Sequence, residues 1–175
     1  MKKVIGTLTV TILGAAVLFS GFSNTEASDV PISTDIQNKW EIYAQNEISK
    51  KLSETHEDAI QDFQIDESQY TYQSLYDKEF QGLGKDDSNR LFISVFNSVL
   101  VNQKQGDFVP GLLLKNDLSE AIVVYKSLES GDNHLYVFTR DGKEWTLIKE
   151  DVQKGKKMEK VTYKNLQQFN AEYKC

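Results

Sequence analysis

The chain has 175 residues, of which 26 are acidic and 20 are basic, so its net charge is −6 at neutral pH. This acidic balance argues against nucleic acid as a partner, because a phosphate backbone attracts basic surfaces. The single cysteine, Cys175, excludes an intrachain disulfide, so packing alone must stabilise the fold.

The first 27 residues have the pattern of a secretory signal peptide. Lys2 and Lys3 precede an uncharged stretch, residues 4–21, and small or polar residues ending in Ala27 follow it. The stretch is shorter than the roughly 20 residues that span a bilayer, which favours cleavage over a permanent anchor. We therefore expect one domain, residues 28–175, that is secreted to the extracellular space and keeps no stable membrane anchor after signal cleavage.

A long amphipathic helix is predicted to begin at Thr34. Thr34 and Gln37 have the three-residue spacing of a capping box. Apolar side chains then recur at spacings that place them on one helical stripe. The pattern continues to Phe63, with or without a break near Ser53. The first part of the stripe comprises Ile36, Trp40, Tyr43, Ala44, Ile48 and Leu52.

The stretch 54–87 is strongly acidic, with ten carboxylates against two lysines. Within it, Glu54, Asp58 and Asp62 follow one another at four-residue spacing and would line one face of the helix. A pair of carboxylates can hydrolyse a glycosidic bond only in a cleft where burial raises the pKa of one of them. Such spacing is more typical of a solvated face.

The segment after the helix is predicted to contain a short strand and a loop. Residues 69–76 carry Tyr70, Tyr72 and Tyr76 at alternating positions, as in a strand. Residues 81–87 contain two glycines among acids and are predicted to be a loop. The sequence from residue 77 partly matches a calcium loop, but a serine stands where the bidentate glutamate is required, so no metal site is predicted.

Residues 90–101 fit two patterns. As a helix, they carry apolar pairs on a wide stripe, comprising Leu91, Phe92, Val95, Phe96, Val99 and Leu100. As a strand, they alternate and are rich in β-branched residues. A helix is favoured because Asp87 or Ser88 could cap its start and Gly106 lies shortly past its end.

From residue 108 onward the pattern is that of an antiparallel meander, with strands predicted at 109–115, 120–128, 134–140 and 144–150. Asp141-Gly142 predicts a two-residue type I′ hairpin, which would pair Phe138 with Trp145. A five-residue loop at 129–133 would pair Val124 with Phe138. Both faces of this sheet would be apolar, so one needs the long helix and the other needs a second helix, a partner or a ligand.

Residues 162–173 are predicted to form a short C-terminal helix, with its apolar side made of Tyr163, Leu166, Phe169 and Tyr173. Together the elements predict an α+β fold. One long N-terminal helix, with one or two further helices, would pack on a four- to five-stranded antiparallel meander sheet.

Few residues suit catalysis. His56 lies beside Glu57 but lacks the second histidine of a zinc-binding helix, and His134 is expected in an exposed turn. The sequence contains neither a nucleophile elbow nor a glycine-rich phosphate loop. No catalytic residue, metal or cofactor is therefore predicted.

Aromatic side chains are the main candidates for a binding surface, because they combine apolar area with a polar edge. They are Tyr70, Tyr72, Tyr76, Tyr136, Phe138 and Trp145. The first hypothesis is a monomeric, non-catalytic binding or interaction protein at the bacterial cell surface or in the medium, acting on an unknown protein or small ligand. The alternatives are a small secreted hydrolase with paired carboxylates, and an inhibitor or immunity-like protein whose acidic band binds a basic partner.

Overall fold

The computed structural model describes residues 32–75 and 79–173. The predicted signal peptide, Tyr76 and Cys175 lie outside these ranges. The helices are α1 (Thr34–Asp62), α2 (Lys85–Ser98) and α3 (Leu166–Tyr173), with 3-10 turns at Glu67–Gln69 and Leu100–Asn102. The strands are β1 (Tyr70–Gln73), β2 (Gly111–Lys115), β3 (Glu120–Lys126), β4 (Asn133–Asp141) and β5 (Glu144–Gln153).

The five strands form one antiparallel sheet in the order β1-β2-β3-β4-β5, so each strand pairs with the next along the chain. The predicted α+β class and meander topology are confirmed. Within the described ranges, no helix has the length and apolar character that a bilayer crossing requires.

The helix α1 is continuous for 29 residues, which gives it a length of about 43 Å. The predicted capping residue was wrong by one position: Ser33, with extended backbone, accepts a hydrogen bond from the amide of Ile36, and the helix begins at Thr34. Serine and threonine are both favoured N-cap residues, so the backbone conformation decides which of Ser33 and Thr34 caps the helix. The helix continues without a break through Ser53.

Each face of the sheet is covered by a different helix. The C-terminal part of α1 places Ala59 and Ile60 against one face, where they meet Leu113, Ile122, Val124 and Leu135. On the other face, Leu91 and Val95 of α2, together with Val99 just past its end, join a cluster with Leu112, Leu114, Val123, Phe138 and Trp145. Full burial of each such side chain stabilises the fold by roughly 1.5–3 kcal/mol. The second helix is thus the cover that the two-sided sheet requires.

The helical interpretation of residues 90–101 is confirmed, and the strand alternative was wrong. The helix begins earlier than predicted, at Lys85, so the end of the predicted loop 81–87 is its first turn. Asp86 and Asp87 stabilise that turn by facing the positive end of the helix dipole. The helix passes into the 3-10 turn Leu100–Asn102 before Gly106.

The predicted register of the β4–β5 hairpin was wrong by two residues. Asp141 pairs with Glu144, Arg140 with Trp145 and Phe138 with Leu147. Gly142 alone takes a positive φ, of 59°, at the first central position of the turn, which is the arrangement of a type II′ turn and not of type I′. A shift of two keeps residues 138–141 on their predicted face, because the period of a strand is two. A β-bulge between Val137 and Phe138 increases the shift to three from Val137 onward, where Tyr136 pairs with Glu150.

The predicted β3–β4 register was wrong by three, which exchanges faces. Phe138 pairs with Ala121, and Val124 pairs with Leu135. The loop begins two residues earlier than predicted, since Lys126 and Asn133 form the last pair and the turn closes through Gly131 at φ 80°.

The exposed-turn prediction for His134 was also wrong. His134 lies in β4, is half-buried, and stacks on the ring of Tyr125 with centroids 4.5 Å apart.

The helix α3 starts at Leu166 and not at Thr162, because Asn165 forms its cap. The Asn165 side chain accepts from the amide of Gln168, and the Gln168 side chain accepts from the amide of Asn165, both at 2.9 Å. The helix packs on the N-terminal half of α1, where the rings of Tyr43 and Phe169 stack at 5.2 Å. The indole of Trp40 donates to the carbonyl of Lys164 at 2.8 Å.

Candidate functional site

The most distinctive surface lies on α2, on the side turned away from the sheet. Ile93 is 57% exposed, Phe96 is 47% exposed and Phe92 is 37% exposed, and Val101 in the following 3-10 turn is 55% exposed. The rings of Phe92 and Phe96 lie one helical turn apart, with centroids separated by 6.3 Å. We call these four residues the α2 outer face.

The α2 outer face is electrically neutral, because no charged residue occurs between Leu91 and Asn102. Charges flank this stretch on both sides along the chain: Arg90 precedes it, and Lys104, which forms an ion pair with Glu129 at 3.2 Å, follows it. Arg90 forms an ion pair with Glu144 at 2.7 Å, and Asp87 forms one with Arg140. An apolar strip with a charged border has the composition typical of a protein–protein contact.

Sequence reasoning missed this surface because it assigned Phe92 and Phe96 to the same buried stripe as Leu91 and Val95. The signal was nevertheless present: apolar residues at 91, 92, 93, 95 and 96 wrap around more of the helix than one sheet face can cover. The sheet buries Leu91, Val95 and Val99 and leaves the remainder in solvent.

Three of the aromatic candidates lie in the core. Tyr136, Phe138 and Trp145 are buried in the cluster beneath α2, and the guanidinium of Arg140 lies 5.9 Å from the Trp145 ring centre. Their side of the sheet is therefore a packed interior at these positions, and these rings are not open to a ligand.

Two further aromatic candidates lie on the edge strand β1. The Tyr70 hydroxyl donates to Glu120 at 2.5 Å, and burial together with that carboxylate raises the pKa of Tyr70. The Tyr72 ring is exposed, but its hydroxyl turns inward to the His56 ring at 3.1 Å, and burial raises the pKa of Tyr72 to about 12. The structure thus separates these two from the other three, while Tyr76 is outside the described residues.

Both ring nitrogens of His56 are engaged. Nε2 lies 2.8 Å from the carbonyl of Val109, which can only accept, so Nε2 carries the proton and Nδ1 accepts from Tyr72. Burial lowers the pKa of His56 despite the opposing effect of the Val109 carbonyl, so the ring is neutral. A side chain added at Gly111 would meet Nδ1 at 3.0 Å. The geometry gives His56 a structural role.

The three helical acids do not act as one face. Glu54 remains at the surface, 3.2 Å from Lys51. Asp58 and Asp62 turn inward, and both accept from the side-chain amide of Asn133, at 3.0 and 2.6 Å.

Lys126 completes this inward group, which we call the polar cluster (Asp58, Asp62, Lys126 and Asn133). Its fully buried ammonium lies 2.6 Å from Asp58 and donates to the Gly131 carbonyl at 3.0 Å. Gly155 closes over it: a Cβ there would lie 2.4 Å from Asn133 and 2.6 Å from the Lys126 ammonium.

The electrostatics of the polar cluster do not suit acid catalysis. Partial burial would raise the pKa of Asp58, but hydrogen bonds from Lys126 and Asn133 outweigh it and hold that pKa below its usual value. A hydrolase with paired carboxylates needs one acid whose pKa is raised. The polar cluster instead joins α1 to the β3–β4 turn.

The acidic stretch 54–87 is divided among separate internal contacts. Asp58 and Asp62 belong to the polar cluster, Asp66 accepts from the amide of Ser68, and Asp87 binds Arg140. Among residues 32–75 and 79–173, no three His, Cys, Asp or Glu side chains come together in a way that could hold a metal ion. Comparison with protein-family models, curated proteins and solved structures finds no match to this chain.

Proposed function

We propose that the chain is a non-catalytic binding or interaction protein that acts outside the cell and meets a protein partner through the α2 outer face. The observation that carries this proposal is an exposed, uncharged apolar strip on a chain in which 26% of the residues are charged. Contiguous exposed apolar side chains on a soluble protein mark interaction sites, because leaving them in water costs free energy that a partner recovers.

The chemistry of the α2 outer face suggests what it binds. Phenylalanine is enriched and charge is depleted at the centres of protein interfaces, and the ion pairs of Arg90 and Asp87 provide a polar border at one end. The matching surface is therefore apolar and uncharged. Extracellular action follows from the predicted signal peptide, residues 1–27.

The interior supports a binding role over a catalytic one. The aromatic core beneath α2 is filled, both nitrogens of His56 are engaged, and Asp58 is held ionised by Lys126. The side chains of His56 and Asp58 are thus engaged in contacts that hold the fold together.

A photoreactive phenylalanine analogue at Phe96 tests the proposal. The variant is irradiated together with the cells that produce it and their medium. The analogue at position 96 should then form covalent adducts with the partner protein, because that ring would lie in the contact. The matched control is the same analogue at Ile42, which is 60% exposed on α1. The proposal is wrong if position 96 gives no more adduct than position 42, or if Ile93→Glu leaves the adducts unchanged.

Salt separates this proposal from the acidic-band alternative. Contact through an uncharged apolar face should change little between low and high ionic strength, because there is no charge attraction to screen. Binding of a basic partner to the stretch 54–87 would weaken as salt rises. Adduct yield from position 96 across a salt series distinguishes the two.

A further inference from the structure

We propose that the polar cluster is a self-modifying site, in which the side-chain nitrogen of Lys126 forms an amide bond with the side-chain carbonyl of Asn133 and releases ammonia. The product is a covalent cross-link between β3 and β4. The cross-link is independent of the proposed function, because the α2 outer face contributes no residue to it.

The two reacting groups lie side by side in the interior. Lys126 and Asn133 form the last pair of β3 and β4, and both side chains are fully buried. A Cβ built at Gly155 would lie 2.6 Å from the Lys126 nitrogen and 2.7 Å from the side-chain carbonyl carbon of Asn133, so both atoms border one small space. Fixed proximity of this kind lowers the barrier to reaction, because neither reactant has to be collected from solution.

The Asn133 amide presents its nitrogen to two carboxylates. Its Nδ2 donates to Asp58 at 3.0 Å and to Asp62 at 2.6 Å. The opposite orientation would place the amide oxygen against two negatively charged oxygens, so the nitrogen must be the atom that faces them. The oxygen, Oδ1, is buried and has no hydrogen-bond partner among the described residues. An asparagine with a purely structural role would normally have this oxygen paired, so the arrangement calls for a chemical explanation.

One oxygen of Asp58 contacts both the attacking and the leaving nitrogen. Its Oδ2 lies 2.6 Å from the Lys126 nitrogen and 3.0 Å from Nδ2 of Asn133. Asp58 can therefore accept a proton from the ammonium and pass it to the departing nitrogen. The hydrogen bonds that hold the pKa of Asp58 below its usual value keep it ionised, which is the state that a general base requires.

The reaction balances within the polar cluster. Asp58 removes a proton from the Lys126 ammonium, and the freed lone pair attacks the carbonyl carbon of Asn133. The bond from that carbon to Nδ2 then breaks, and its electron pair leaves with the nitrogen. Both protons lost by Lys126 end on the departing nitrogen, which leaves as an ammonium ion, and Asp58 is regenerated. The product is favoured because the fully buried charge of Lys126 is removed from the interior.

Peptide mapping of the purified, folded wild-type chain by mass spectrometry tests the proposal. Trypsin cuts after an unmodified lysine but not after one whose nitrogen is in an amide bond. We therefore expect residues 116–140 as one uncut peptide whose mass is lower by one molecule of ammonia. The proposal is overturned if the digest gives residues 116–126 and 127–140 as separate peptides of full mass.

Two other modifications of the same residues would also contradict the proposal. Loss of ammonia with normal cleavage after Lys126 would indicate a cyclic imide at Asn133 and no cross-link. Loss of water, with Lys126 joined to the peptide that contains Asp58, would place the new bond at the wrong carbonyl.

Asp58→Asn tests the assigned proton carrier, because it keeps a hydrogen-bond acceptor for Lys126 but cannot take up its proton. The folded variant should lack the cross-link and be cut normally after Lys126. Glu54→Gln, one turn earlier on the same helix, is the matched control and should cross-link as the wild type does. Cross-linking of folded Asp58→Asn to the wild-type extent would overturn the mechanism. If Asp58→Asn does not fold, the wild-type digest still decides whether the bond exists.

Discussion

Lys126 is the residue whose environment is most demanding, because its ammonium is fully buried. A charge without a partner at such a depth costs several kcal/mol, so the two oxygens that face it are essential. These belong to the Asp58 carboxylate and the Gly131 carbonyl. The partners are unequal in exposure, since Asp58 retains some contact with solvent and Lys126 has none.

This inequality predicts the order of mutational effects. Asp58→Ala should lower the free energy of unfolding by about 3–5 kcal/mol, because it leaves the Lys126 ammonium buried and unpaired. Lys126→Met should cost less, because solvent and Asn133 still stabilise Asp58. Urea unfolding of both variants provides the measurement.

Glu54→Gln is the matched control for this pair, since it removes an exposed ion pair from the same helix and should cost under about 1 kcal/mol. An equal cost for Glu54→Gln and Asp58→Ala would contradict the structural role assigned to the polar cluster.

Among the elements, α3 is the one most weakly attached. None of its residues, 166–173, is buried, and ring contacts such as that between Tyr43 and Phe169 hold it to α1. The segment that leads to it, residues 154–165, has no regular secondary structure. Elements with so little burial open locally at low free energy while the core remains folded.

We expect Phe169→Ala to detach α3 without unfolding the sheet, because it removes the ring that stacks on Tyr43 of α1. Amide hydrogen exchange should accelerate in 166–173 and stay unchanged in β3 and β4. Gln167→Ala, at an exposed position of the same helix, is the control. Acceleration that extends equally into the central strands would show that α3 belongs to the cooperative core.

The elements also show what the sequence could and could not predict. The class, the meander and the helical state of residues 90–98 followed from periodicity, which reflects burial directly. The strand registers did not follow from periodicity, because they depend on turn conformation. Every pair in the β4–β5 hairpin shifts according to whether Gly142 occupies the first or the second central position of the turn.

The candidate site was harder to predict from the sequence than the fold. Whether Phe92 and Phe96 are buried depends on how much of α2 the sheet can cover, which is a property of packing between distant segments. The sequence likewise placed Asp58 and Asp62 four residues apart, but not Lys126 and Asn133 beside them, because that contact spans about 70 residues of chain.

For the molecule as a whole, stability should decline with acid in two stages. The pKa of His56 is lowered by burial, and that of His134 by burial against the opposing effect of Asp107, Asp132 and Glu150. The unfolded state therefore takes up these protons first, and the associated stability is lost as pH falls below about 6.5. The pKa of Asp58 is also lowered, so its contribution is present above about 3.8 and is lost as pH falls further.

Urea unfolding at a series of pH values between 8 and 3 measures this profile. His56→Gln should flatten the first stage, since the glutamine amide can still donate to the Val109 carbonyl and accept from Tyr72 without titrating. The second stage should persist in that variant. An unchanged slope near pH 6 in His56→Gln would show that His56 does not contribute to the pH dependence.

The strand order has a consequence for how the chain acquires its structure during synthesis. Because each strand from β2 onward pairs with its successor through a short turn, β2 to β5 can add to the sheet one hairpin at a time as the polypeptide emerges. The surface on which α1 rests includes Ile122 and Leu135, so the first helix to be made cannot be covered until β3 and β4 have been translated. A nascent chain stalled before residue 120 would present Ala59 and Ile60 to chaperones.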